Sequence, residues 1–114
     1  MSNPSESAGY NGWHNYETWA VKLWIDNERA EYDYWRNETV ETWANTEATE
    51  YLTRSQAARF SLADSLKEWH QDNTPDLSGP FCDLLNAALS EIDWDEIADA
   101  MLTDAELDGY EVRS

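Results

Sequence analysis

From Asn15 the chain sets Tyr16, Trp19, Ala20, Leu23 and Trp24 at i, i+3, i+4, i+7 and i+8, which is the spacing of one helical face. Asn15 stands where a helix cap belongs and Glu17 suits the first turn. Asp26-Asn27 interrupts this pattern. A second run from Glu28 to about Tyr51 has no Pro or Gly and aligns Tyr32, Trp35, Thr39 and Trp43, predicting a long helix with a kink or break near Asn45. Ser55 is a candidate cap for a third helix reaching about Gln71, with Leu62, Leu66 and Trp69 on one face and Asn73-Thr74-Pro75-Asp76 ending it. Ser78-Gly79-Pro80 opens a fourth, whose Phe81, Leu84, Leu85, Ala88, Leu89 and Ile92 form the cleanest apolar period in the chain. Asp93 with Glu96 reads as a capping box for a fifth helix carrying Trp94, Ile97, Ala98, Met101 and Leu102. Thr103 with Glu106 repeats that signature and predicts a short closing turn before Gly109.

No segment sustains apolar and polar alternation, and only Tyr110-Glu111-Val112 leans toward strand. The fold expected is therefore all-α, a compact bundle of about five helices. Residues 1–12, rich in Ser, Asn, Gly and Pro, predict a disordered tail, which leaves 13–114 as a single acidic helical domain. A length of 114 residues holds one domain, and 41% hydrophobic residues with seven Trp and six Tyr supply its core.

Charge changes the picture. Against 7 Lys and Arg stand 24 Asp and Glu, a formal net charge of -17, which disfavours direct binding to nucleic acid or to anionic membranes. Between Lys67 and Arg113 there is no basic residue, while Glu68, Asp72, Asp76, Asp83, Glu91, Asp93, Asp95, Glu96, Asp99, Asp104, Glu106, Asp108 and Glu111 fall in that window. Glu91, Asp95 and Asp99 are four apart, the spacing of a line of carboxylates on one helical face. Glu31, Glu38 and Glu41, with Asp33 beside them, make a second row on the second helix. Such rows predict a surface that imitates DNA phosphates and occupies the cationic groove of a host DNA-binding protein or nuclease. Glu31, Asp33, Glu38, Glu41, Glu91, Asp95, Glu96, Asp99, Asp104 and Asp108 are the expected partner-binding residues. The rival reading is salt adaptation, in which carboxylates cover the whole surface of an interaction module that assembles through its aromatic face. Two Lys against five Arg suit that reading.

The segment Tyr10-Asn11-Gly12-Trp13-His14-Asn15-Tyr16-Glu17-Thr18-Trp19-Ala20-Val21-Lys22-Leu23-Trp24 resembles an uncharacterised family of small phage, prophage and plasmid proteins that open with Asn-Tyr-Glu-Thr-Trp-x-Val-x-Leu-Trp. Ile92-Asp93-Trp94-Asp95-Glu96-Ile97-Ala98 resembles that family's second element. The resemblance implies a mobile-element origin and supplies no catalytic residues. By analogy with other small acidic phage and plasmid proteins, it raises inhibition of a restriction or CRISPR effector as the expected role. Tyr16, Trp19, Leu23 and Trp24 are expected to pack against the fourth and fifth helices, and Tyr10 or Trp13, where exposed, would serve as anchors for a homodimer.

Enzymatic chemistry finds little foothold. His14 lies three residues before Glu17 and His70 two before Asp72, but no nucleophile elbow, EF-hand loop or Gly-rich phosphate loop accompanies them. No enzyme, metal site or cofactor is expected. Cys82 is single and reads as a small core residue in a reducing compartment. Without a basic, apolar leader or a long apolar run, the location expected is cytoplasmic. The Asn37 to Thr39 sequon carries no weight there.

Overall fold

The computed structural model describes residues 10–113. Among them are five helices, α1 (Tyr16–Asn27), α2 (Arg29–Asn45), α3 (Arg54–Asp72), α4 (Pro80–Ser90) and α5 (Trp94–Asp104), and no strands. None of these helices is long and apolar enough to cross a membrane. Of the expected tail, residues 1–9 lie outside the described residues. Residues 10–12, which the composition assigns to the tail, belong to a defined turn ahead of α1. Tyr10 and Trp13 exchange backbone hydrogen bonds of 2.6 and 2.7 Å around Asn11 and Gly12, whose φ angles are 48° and 88°. Asn-Gly is the pair that a tight turn with two positive φ angles selects.

The boundaries follow capping chemistry. The Asn15 side chain caps α1 by accepting from Thr18 N, and Glu28, in extended conformation, both ends α1 and starts α2. The predicted break near Asn45 is the end of α2, which does not continue to Tyr51. Beyond Trp43 the apolar residues up to Tyr51 are Ala44, Ala48 and Tyr51, all exposed, Thr46 Oγ1 turns back to Thr42 O, and Arg54 Nη2 donates to Trp43 O at 2.7 Å. The cap of α3 is Thr53, in a capping box with Gln56, instead of Ser55. Ser55 is buried and accepts from Glu111 N at 2.8 Å. Asp93 caps α5 through Glu96 N, but the expected capping box does not close, because Glu96 Oε1 accepts from His14 N and Asp93 N donates to Thr18 Oγ1. The turn after α5 forms, but Thr103 Oγ1 bonds Asp99 O and caps nothing.

The core is built on α3 against α5, with α1 and α2 packed around that pair. Ala58, Leu62 and Leu66 of α3 meet Ile97, Ala98 and Leu102 of α5, all without exposed surface. Trp35 and Trp43 of α2, Ile25 of α1, and Trp94 and Met101 of α5 complete the cluster. Full burial of such aliphatic side chains is worth about 1.5–3 kcal/mol each.

Two expectations about faces are corrected. On α1 the buried residues are Thr18, Lys22 and Ile25, while Tyr16, Leu23 and Trp24 are exposed, Trp24 by 66%. At 100° per residue the buried stripe lies nearly opposite Tyr16 and Leu23, so the larger aromatic residues do not choose the inward face. Hydrogen bonding at Thr18 and ion pairing at Lys22 do. The second correction concerns α4, which has the cleanest period yet no buried residue and no extensive packing against another helix. Phe81 and Leu84 are exposed by 68% and 67%. Cys82, on this helix, is only partly buried.

Candidate functional site

The two motif elements meet. Thr18 Oγ1 donates to Asn15 Oδ1 at 2.6 Å and accepts from Asp93 N at 2.9 Å, while Asn15 Nδ2 donates to Glu91 O at 2.5 Å. The backbone N of His14 donates to Glu96 Oε1 at 2.9 Å. Each element's helix cap is thereby fastened to the other's, and Thr18, fully buried, is the pivot. The Asn-Tyr-Glu-Thr segment and the Asp-Trp-Asp-Glu segment are thus one structural clasp.

Beyond the clasp, the first turns of α5 hold a charge network. Arg59, buried on α3, brings Nε to 3.3 Å from Asp95 Oδ1. That approach is outside hydrogen-bond alignment and both atoms have no hydrogen-bond partner among the described residues, so the pair is held by charge. Arg113 Nη1 donates to Asp95 Oδ2 at 2.8 Å and lies 3.5 Å from Asp93 Oδ1. Asp99 Oδ1 accepts from the Tyr110 hydroxyl at 2.6 Å and from Arg113 N at 2.9 Å. Residues 110–113, the β-leaning stretch, form no strand and act as a strap over α3 and α5. Burial works against the Arg113 charge, but Asp95 and Asp93 together outweigh it and hold its pKa above the usual value. Asp93, Asp95 and Glu96 also sit at the positive end of the α5 dipole, where carboxylates are stabilising.

Burial, and next the hydrogen bond to Asp99, push the Tyr110 phenol up from 10.0 to about 12, with Arg59 opposing. A folded-state pKa above the unfolded one means that the neutral phenol favours the fold. Its contribution is complete below pH 10 and is lost as pH rises through about 12. A phenolate absorbance titration should therefore show a late step near pH 12, and Tyr110→Phe should remove it. A wild type that titrates like Tyr110→Phe would show that burial and Asp99 do not hold the Tyr110 phenol up.

The expected partner-binding residues do not form one surface. Asp95 is drawn onto Arg59 and Arg113, Asp99 accepts from the Tyr110 hydroxyl and Arg113 N, and Glu96 is taken by His14 N. Glu91 is not in line with them, because it is the C-cap of α4 and the chain turns at Asp93 before α5 begins. Glu31 and Asp104 lie on opposite flanks of α2. Glu31 lines a cleft with Trp24 and His70, whereas Asp104 lines a groove with Tyr32 and Arg36. Asp33 is exposed and lies 3.7 Å from Arg29 Nε, while Glu41, Asp104 and Asp108 are exposed and Glu38 is partly buried. The row Glu31, Glu38 and Glu41 does share one flank of α2, by the helical period.

Sequence reasoning missed Lys22 as a buried charge. Its Nζ is 2.7 Å from Asp26 and 3.9 Å from Asp104. The i, i+4 pairing with Asp26 was the available signal. The histidines do not converge with the residues beside them in sequence. His70 Nδ1 lies 2.7 Å from Leu66 O and its ring is surrounded by Trp35, Trp69 and Trp94. Among the described residues no three His, Cys, Asp or Glu side chains are grouped to hold a metal ion.

No curated protein and no solved structure matches this chain. A family model matches residues 6–108, spanning both halves of the clasp, and the chain belongs to that family of unknown function (DUF7249).

Proposed function

We propose that this protein is a non-enzymatic binding protein whose partner is a positively charged protein, on which it competes with nucleic acid. The observation that carries the reading is where the basic side chains go. Lys22 and Arg59 are buried, Arg113 is drawn onto Asp93 and Asp95, and Arg54 serves the end of α2. Arg29, Arg36 and Lys67 stay exposed, but carboxylates far outnumber them on the outer surface, a field that steers a cationic partner. A restriction or CRISPR effector, met in the cytoplasm of a phage or plasmid host, is the partner class this reading names.

Magnitude limits how the mimicry works. Glu31 and Glu41 are ten helical steps apart with Glu38 between them, about 15 Å of helix, whereas duplex DNA carries a charge every 1.7 Å or so. One row cannot replicate a duplex, so the reading rests on the summed field, with exposed Trp24, Phe81 and Leu84 adding apolar contacts to the same partner. At moderate salt the protein should release labelled duplex from at least one restriction or CRISPR nuclease of its source cell, less so as salt rises. Glu38→Lys with Glu41→Lys and Asp104→Lys should weaken that release. If none of these nucleases binds it, the reading fails.

The spread of exposed acids over every helix favours a second reading, the salt-adapted module. That version requires unfolding at low salt and recovery in molar KCl, which the first does not.

A further inference from the structure

Between α1, α2 and α3 lies an open cleft of about 340 Å³, lined by Ala20, Val21, Trp24, Ile25, Glu31 and His70. Its chemistry is uneven. Three aliphatic side chains form one part, two aromatic rings another, and the only formal charge in the lining is the Glu31 carboxylate. Glu31 makes no ion pair among the described residues, although α2 carries Arg29 and Arg36. By the helical period those two arginines fall on the other flank of α2, away from the cleft. Trp24 is 66% exposed, so its indole offers an accessible π face. The His70 ring is held in place by Leu66 O and by the Trp69 and Trp94 rings.

We infer that this cleft is a subsite for one arginine side chain of the cationic protein partner. A guanidinium is flat, stacks on an indole and pairs in two-pronged fashion with a carboxylate, while its methylene stem suits an aliphatic wall. A compact ammonium would use the carboxylate but gain less from the ring. The volume lies at the small end of the range for ligand sites, which suits a side chain better than a whole cofactor. The inference rests on the reading of the protein as a binder of cationic proteins, and it names one point of contact.

The test uses the full chain and N-acetyl-L-arginine amide as the probe, followed by the side-chain N–H resonance of Trp24, assigned with Trp24→Phe. Arginine amide should shift that resonance in a saturable way, whereas the neutral isostere N-acetyl-L-citrulline amide should not. Glu31→Gln should weaken binding by roughly tenfold, as loss of a charge-assisted bond implies. Glu38→Gln, one turn-pair along the same flank, should leave it unchanged. Equal binding to wild type and Glu31→Gln, or shifts scattered over the acidic surface with none favouring Trp24, would overturn the inference. Because the probe is one amino-acid derivative, its failure leaves the wider reading standing, and that reading falls only in the nuclease competition.

Discussion

Arg59→Leu is expected to destabilise the protein by about 3 kcal/mol, the lower end of what removing one member of a buried ion pair costs. The lower end applies because Asp95 keeps Arg113 at 2.8 Å and is itself 27% exposed in its side chain. Leucine preserves apolar volume beside the core, so the loss reports on charge: Asp95 loses one of its two cations and the Tyr110 hydroxyl loses a donor. Against a typical total of about 5–15 kcal/mol, this is a large share. The check is urea unfolding, with a lower midpoint and an unchanged slope. Arg36→Leu, at an exposed arginine with no ion pair among the described residues, should shift stability by no more than about 0.5 kcal/mol. Equal midpoints for the two variants would show that the network around α5 contributes nothing to stability. Replacing Asp95 by Leu in the Arg59→Leu background should cost less than the two separate losses added together, since the residues are in contact.

The second large effect is expected at the clasp. Thr18→Val keeps shape but removes the hydroxyl, leaving the Asp93 N–H and one side of Asn15 Oδ1 without their partner in a site with no exposed surface. Orphaning a buried donor costs about 1–3 kcal/mol, and a loss near 2 kcal/mol is expected. Thr18→Ser should be milder than Thr18→Val although serine is the smaller residue, because it retains the hydroxyl. The opposite order would make the site one of packing alone. Hydrogen exchange provides a second readout: in Thr18→Val the amides at the starts of α1 and α5 should lose protection together, although they are far apart in sequence. Independent loss at α1 only would contradict the fastening of the two caps.

Most of the helices were legible because capping and periodicity are local. Asn15, Asp93 and Pro80 announce their helices through donors or a fixed φ that need no tertiary partner. The Asn11-Gly12 turn is equally readable, since its residue pair is selected by backbone conformation, but the polar composition around it points toward a tail. Less legible was the inward face of α1. Tyr16, Trp19, Leu23 and Trp24 offer more apolar surface than Thr18, Lys22 and Ile25, and periodicity favours the richer stripe. The poorer stripe is buried because Thr18 can serve the Asp93 amide and Lys22 can bring Asp26 and Asp104 together. For the same reason the period of α4 identified a helix without revealing that its apolar side is nowhere fully buried, with Phe81 and Leu84 on the surface.

The candidate surface divides in the same way. Its total charge belongs to the sequence, as do the absence of basic residues between Lys67 and Arg113 and the helical spacing of Glu31, Glu38 and Glu41. The tertiary structure decided which of those carboxylates remain available. Arg59, outside the acidic window, is brought by the α3 and α5 packing onto Asp95, and the strap carries Arg113 back over Asp93, Asp95 and Asp99. Spacing along a chain fixes angular position on a helix, but a carboxylate's partner is set by what packs against that helix, and those residues are eleven or more positions away.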